Sequence, residues 1–277
     1  MQTIATRQKL HLPKLGLGTW PMLDEECTHA VQQALALGYR HIDTATGYNN
    51  EAAVGKALAG SSIPREQIHV TTKVWWDKLQ PEAMRQSLDD SLKALQSDYV
   101  DLFLIHWPGN AGKDWNLEQS IETLVELQQS GKAKHIGVAN FTLPMLRRAV
   151  DELGAPLAAL QVEYHLMLDQ QPLLDFVRQH GMALTAYTPL ARGKAAETAE
   201  VQQVAKKHGV LPSQVALQWL LAQDSVAAIP KASGKANQQS NLAALDIRLD
   251  GEDLALLEQL PKNVRVVSPD FAPQWDK

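Results

Sequence analysis

The sequence is short of cysteine, of long apolar runs and of concentrated charge, and each shortage removes a class of protein. A single cysteine, Cys27, has no partner for an internal disulfide, so a disulfide-stapled scaffold is excluded. Its helical surroundings, beside Ala30 and Val31, point to an inert thiol rather than a nucleophile. No stretch approaches the ~18 consecutive apolar residues of a membrane span. The opening segment Met1 to Lys9 lacks the apolar centre of a secretion signal, which makes the cytoplasm the expected compartment and leaves the sequon Asn140-Phe141-Thr142 without meaning. Lys and Arg number 26 against 31 Asp and Glu, a formal charge of −5 with no basic run. Nucleic acid is therefore not an expected partner, and neither is a membrane.

Three familiar motifs are also missing. Gly16-Leu17-Gly18-Thr19-Trp20-Pro21 lacks the third glycine of the dinucleotide fingerprint and the helix start that should follow it. Gly112-Lys113 lacks the upstream glycine and following Ser or Thr of a phosphate loop. The nine histidines include neither an HExxH nor a pair at ligand spacing, so no metal is expected.

What is present is a globular chain of 277 residues, 45% apolar and 21% charged. Barrels of alternating strands and helices run to about 250 residues, and no linker or composition shift divides this chain, so one domain over 1–277 is expected. Eight short apolar runs read as strands: Leu15 to Gly18, His41 to Asp43, Ile68 to Lys73, Val100 to Ile105, His135 to Val138, Leu160 to Val162, Ala183 to Tyr187 and Val226 to Ile229. Between them lie helical patterns such as Cys27 to Leu37, Glu51 to Ala59, Pro81 to Leu95 and Leu117 to Gln129. Pro81 fits a first helical position, Gly38 and Gly131 fit helix ends, and Ser213 can cap Gln214 to Leu221. Repeated βα units imply parallel strands with right-handed crossovers, and eight of them predict a (β/α)8 barrel. A doubly wound open sheet is the competing topology. The tail beyond Pro261 has little helical pattern and is expected to lay Phe271 and Trp275 against the barrel.

In such a barrel the chemistry lies at the C-terminal ends of the strands. Asp43, Lys73 and His106 end three successive apolar runs, where charge is costly unless paired, and Tyr48 follows in the loop after the second. A tyrosine is a poor acid near neutrality, but an ammonium close by can draw its pKa down by roughly 1–3. Asp43 would keep Lys73 charged, while His106 could donate to a carbonyl oxygen. Singly, a loop tyrosine is usually packing, a Lys–Asp pair structural and a strand-end histidine merely satisfied; the conjunction favours a general acid. Trp20, Trp75, Trp76 and Trp107 also follow strands and suit the apolar wall of a ligand cleft, with Trp20, Trp75, Trp107 and His106 against the substrate. Asn140 and Gln161 could bind a carboxamide, and Tyr187 could stack on a flat ring.

Asp43-Thr44-Ala45-Thr46-Gly47-Tyr48-Asn49-Asn50-Glu51, Lys73 after Thr71-Thr72, and Ile105-His106-Trp107-Pro108 closely resemble the signatures of the aldo-keto reductases. Gly137-Val138-Ala139-Asn140-Phe141 and Ile229-Pro230-Lys231 resemble two more, so the likeness runs from Gly16 to about Asn241. The resemblance implies a barrel that binds an extended nicotinamide dinucleotide without a separate fingerprint domain. It implies Tyr48 as proton donor with Asp43, Lys73 and His106 completing a tetrad. It further implies Thr19, Trp20, Asn140, Gln161 and Tyr187 at the nicotinamide end. Leu190 and Lys194 fall in a pyrophosphate loop spanning Pro189 to Lys194, and Lys231, Ser233 and Asn241 at the adenosine 2′-phosphate and adenine. Ala139, Ala232 and Asn237 stand where the family usually has Ser, Ser and Arg. A bidentate Arg clamp on the 2′-phosphate is thereby lost. Lys231, with Lys235 near it, still favours NADPH, and NADH remains an alternative.

The short loop from Trp107 to about Asn116 and the compact C-terminal segment resemble the small microbial branch that includes 2,5-diketo-D-gluconate and methylglyoxal reductases. Small carbonyl compounds are the expected substrates and a monomer the expected state. Two rival readings remain at this point: a lyase using Lys73 as a Schiff base, and a nicotinamide-binding sensor with little turnover.

Overall fold

The computed structural model describes residues 2–109 and 115–276, so the Gly112-Lys113 pair lies outside the described residues. Eight strands form one parallel sheet in chain order: β3 (Leu17–Gly18), β4 (His41–Asp43), β5 (His69–Val74), β6 (Val100–Ile105), β7 (Ala133–Ala139), β8 (Ala159–Glu163), β9 (Ala183–Tyr187) and β10 (Val226–Ala228). The sheet is curled, and segments beside its first and last strands meet through isolated bridges. Leu15 bridges Ala228 and Gly18 bridges Lys231, both in parallel sense, and the Gly16 N–H donates to the Ala228 carbonyl at 2.9 Å. Gly18 is required at this meeting, because a Cβ there would lie 2.5 Å from the Ile229 carbonyl oxygen.

Helices cover the outer face of the sheet: α1 (Asp24–Ala36), α2 (Glu51–Ala59), α3 (Pro81–Leu95), α4 (Leu117–Gln129), α5 (Leu143–Arg147), α6 (Gln171–Gln179), α7 (Ala199–His208), α8 (Pro212–Leu221), α9 (Lys235–Ala243) and α10 (Gly251–Leu257). Strand alternation sorts the core. On β6, Phe103 and Ile105 join the large cluster under the helices. Leu102 and Leu104 instead face an inner cluster of small residues, Ala139, Ala159, Ala183 and Ala227.

An antiparallel hairpin absent from the sequence reading, β1 (Thr3–Ala5) with β2 (His11–Pro13), adds Ile4 and Leu12 to that inner cluster. It plugs the end of the sheet opposite the strand C-termini. One helix start also differs from expectation. Helix α8 begins at Pro212 with Leu211 as its cap residue, so Ser213 lies inside the first turn and caps nothing. Proline at the first helical position loses no hydrogen bond, and the Gln214 side chain accepts from the Leu211 N–H at 2.9 Å instead. Cys27 is buried on α1, and burial pushes its thiol up to about 12, as suits an inert group.

Candidate active site

The C-terminal strand ends open into one cleft of about 730 Å³, within the range of small-ligand sites. At its floor Lys73, fully buried on β5, ends between three acceptors. Its Nζ donates to Asp43 Oδ1 at 2.6 Å, to the Thr44 carbonyl at 2.8 Å and to the Tyr48 hydroxyl at 3.4 Å. Asp43 Oδ2 accepts from the Gln161 side-chain amide at 2.8 Å, so the carboxylate is held from two sides. The Thr19 hydroxyl donates to the Asp43 carbonyl at 2.9 Å and fixes the backbone behind it. The short turn Thr46–Tyr48 aims the phenol inward, and it needs Gly47, where a Cβ would strike the Trp75 ring at 2.5 Å.

His106 stands edge-on to Tyr48, with ring centroids 5.4 Å apart, and edge-on to Trp75 at 5.0 Å. Burial, aided by the Lys73 charge, holds its imidazole well below the usual histidine range, so the ring is neutral. Its Nδ1 is buried with no protein partner. Burial also lowers the Lys73 pKa while Asp43 opposes that effect. For Tyr48 the direction is the reverse of the sequence expectation. Burial, and then the Asp43 carboxylate, push the phenol well above its ordinary value. Desolvation of the phenolate outweighs a lysine 3.4 Å away that is already bound to a carboxylate.

The remaining expected residues divide. Thr19, Trp20, Trp75, Trp107, Asn140, Gln161, Tyr187, Leu190 and Lys231 all line the cleft. Asn140 sits in the left-handed region at φ 62°, which asparagine tolerates, and it locks its neighbours together. Its side-chain amide donates to the His106 carbonyl at 2.9 Å and its Oδ1 accepts from the Tyr187 hydroxyl at 2.8 Å. Lys194 is exposed and does not line the cleft; Arg192 and Gly193 of the same loop do. Ser233 lies off the cleft and accepts from Lys231 Nζ at 3.2 Å. Asn241 is buried and hydrogen-bonded to Tyr39. Trp76 stands behind the wall, stacked on Phe271 at 5.3 Å. Among the described residues no cluster of His, Cys, Asp or Glu is arranged to hold a metal.

Sequence reasoning missed the wall built by Val266, Val267, Ser268, Pro269 and Phe271, although Phe271 was expected to pack inward. It also passed over Glu51, whose partly buried carboxylate accepts from the Thr72 hydroxyl and shares its field with Lys73. Glu163 was overlooked too, although a carboxylate ending an apolar strand is the same signal that picked out Asp43.

A phenol, a buried ion pair and a neutral imidazole gather at one cleft at the C-terminal ends of parallel strands, groups suited to carbonyl chemistry. The chain belongs to the aldo/keto reductase family, whose profile matches residues 14–262, and it is an oxidoreductase enzyme. It is 40% identical over 267 residues to methylglyoxal reductase DkgB of Salmonella typhi, covering 96% of this chain and 99% of that one. It is 37% identical over 260 residues to methylglyoxal reductase DkgA of Escherichia coli (strain K12), covering 92% of each. A crystal structure of a provisionally assigned 2,5-diketo-D-gluconic acid reductase B matches with a TM-score of 0.94 at 39% identity, over 100% of this chain and 98% of that one. The lyase reading is left without support: Lys73 Nζ is engaged by the Asp43 carboxylate at 2.6 Å rather than free to attack a carbonyl.

Proposed function

We propose that this chain, as one closed (β/α)8 barrel, reduces small aldehydes and ketones to alcohols with NADPH, and that Tyr48 is the proton donor. The Lys73 contact to both Asp43 and Tyr48, beside His106, carries this reading. The bridges from Leu15 to Ala228 in the last strand and from Gly18 to Lys231 just beyond it support closure. The cleft suits an extended dinucleotide: Tyr187 offers a flat ring, Asn140 and Gln161 bring amides to it, and Arg192 and Lys231 supply cations along its length. When bound, the nicotinamide supplies the hydride.

The protein supplies the proton and the geometry. Burial keeps the Tyr48 phenol protonated, so its proton is present when negative charge develops on the substrate oxygen. That alkoxide is a stronger base than the phenolate and takes the proton. Lys73 then stabilises the phenolate left behind, and Asp43 holds Lys73 in place. Neutral His106 lines the cleft and orients the carbonyl by donating a ring N–H to its oxygen. Trp75, Trp107 and Phe271 exclude water around it. NADPH is favoured through Lys231, but only moderately, because Lys231 Nζ also lies 3.7 Å from the Glu26 carboxylate and no arginine stands at Asn237. Methylglyoxal and 2,5-diketo-D-gluconate, named in the relatives, are the substrates to try first.

The test is NADPH and NADH oxidation with both compounds, comparing wild type with Tyr48→Phe. Turnover should fall by about 100- to 10,000-fold in the variant while NADP⁺ binding persists. Equal rates in the two proteins would sink Tyr48 as the acid.

A further inference from the structure

Glu163 is a fully buried carboxylate to which the mechanism assigns no step. It ends β8 two residues beyond Gln161 and pairs across the sheet with Tyr187. Both its oxygens are filled by N–H donors. Oε1 accepts from the Val266 backbone at 2.7 Å and Oε2 from the Val267 backbone at 2.9 Å. Oε1 also meets His165 Nε2 at 3.0 Å. The Met167 N–H donates to His165 Nδ1 at 3.2 Å, which places the imidazole proton on Nε2 and makes that nitrogen the donor. Such complete satisfaction is what allows a carboxylate to sit away from water.

The two captured N–H groups are consecutive, and they belong to the wall of the cleft. Val266, Val267, Ser268, Pro269 and Phe271 all line it. Before this stretch, the Val264 N–H donates to the Met167 carbonyl at 2.8 Å. Beyond it, Phe271 packs edge-on against Trp75 and Trp107, at 5.5 Å from each. Between these anchors the Glu163 carboxylate grips the segment from the strand-end floor. The floor does not depend on that grip, since Asn140, Gln161 and Tyr187 are tied to one another and to Asp43 and His106.

We propose that Glu163 is a positioning residue: it clamps the C-terminal wall over the substrate end of the cleft and so sets substrate affinity, not the chemical step. This rests on the reading of the cleft as a carbonyl-reducing site. Glu163→Gln keeps the size of the side chain but turns one oxygen into a donor. That donor then opposes the N–H of Val266, Val267 or His165, and the wall is released. Loss of contacts made equally in ground and transition states raises KM and spares kcat.

Two measurements on the full-length protein test this. In the first, trypsin under native conditions attacks the Arg265–Val266 bond, with fragments followed by mass spectrometry. Cleavage there should quicken by about tenfold in Glu163→Gln, as expected when an opening equilibrium shifts by a single buried hydrogen bond, with other sites unchanged. In the second, KM for a small carbonyl should rise about tenfold, while kcat and NADPH affinity, read by cofactor fluorescence, stay within about threefold. Val267→Pro removes one donor from the other partner, leaves β8 unaltered and should give the same pattern if Glu163→Gln folds poorly. Unchanged cleavage and KM in both variants would overturn the clamp, as would an equal fall in kcat and cofactor affinity. A wild type that turns over no carbonyl would count against the proposed function, and the cleavage comparison would then decide the clamp by itself.

Discussion

Lys73 brings an ammonium group into a place with no exposure to solvent, and its neighbours determine whether the chain tolerates it. Burial lowers its pKa and Asp43 raises it again, so the two residues form one buried unit. Removing one member leaves the other charged and uncompensated, a loss of about 3–5 kcal/mol. Lys73→Met should therefore shift the urea midpoint strongly, even though methionine fills much of the same space. The double variant Asp43→Asn/Lys73→Met should lose less than the two single losses combined, because it strands no charge. A four-member denaturation cycle checks this, and additive losses would contradict the coupled pair. These positions were legible because a charge closing an apolar run stands out in a sequence. The direction of the Tyr48 shift was not, since burial is set by side chains from distant segments. Glu163 carries the same strand-end signal, but its partners Val266 and Val267 lie more than a hundred residues away, and their part in the site exists only once the tail has folded back.

At the scale of elements, the N-terminal ends of β4 and β5 carry a second buried polar group. The Pro13 carbonyl can only accept, so His41 Nδ1, 3.3 Å away, bears the proton. His41 Nε2 is then an acceptor facing the Thr71 hydroxyl at 3.5 Å, and that hydroxyl accepts from His69 Nε2 at 3.0 Å. A proton added to His41 would meet a donor. Burial lowers the His41 pKa from 6.5 to about 4, and burial with the neighbouring His41 lowers His69 well below 6.5. The unfolded chain therefore binds more protons than the native one between these values. Stability should be full above about pH 6.5 and fall as the pH drops towards 4, by on the order of 3 kcal/mol for His41. Urea midpoints measured from pH 8 to pH 4 check this; a flat profile would show that these rings are not buried as neutral groups. The parallel strands and the first helices were readable because their apolar periods are strong. The hairpin that supplies Pro13 was not: its strands are three residues each and mix polar with apolar, too little pattern to announce a pair.

Across the whole molecule, residues from Gly18 to Phe271 converge on one cleft because the parallel strands all end on the same side of a curled sheet. That arrangement follows from the repeated βα order, so the sequence could announce both the sheet and the end at which chemistry gathers. It could not announce the wall, which depends on an irregular tail returning across the strand ends. It also could not distinguish Arg192 from Lys194, since both sit in one loop and only its folded path brings the former to the cleft. The central claim is hydride transfer between a nicotinamide and a carbonyl carbon within this cleft. Its most direct test is reduction of methylglyoxal with NADPH carrying deuterium at both positions of the nicotinamide C4, with the product analysed by mass spectrometry. One deuterium on the new carbinol carbon, formed at a rate that collapses in Tyr48→Phe, is the predicted result. Product alcohol without the label would contradict the account.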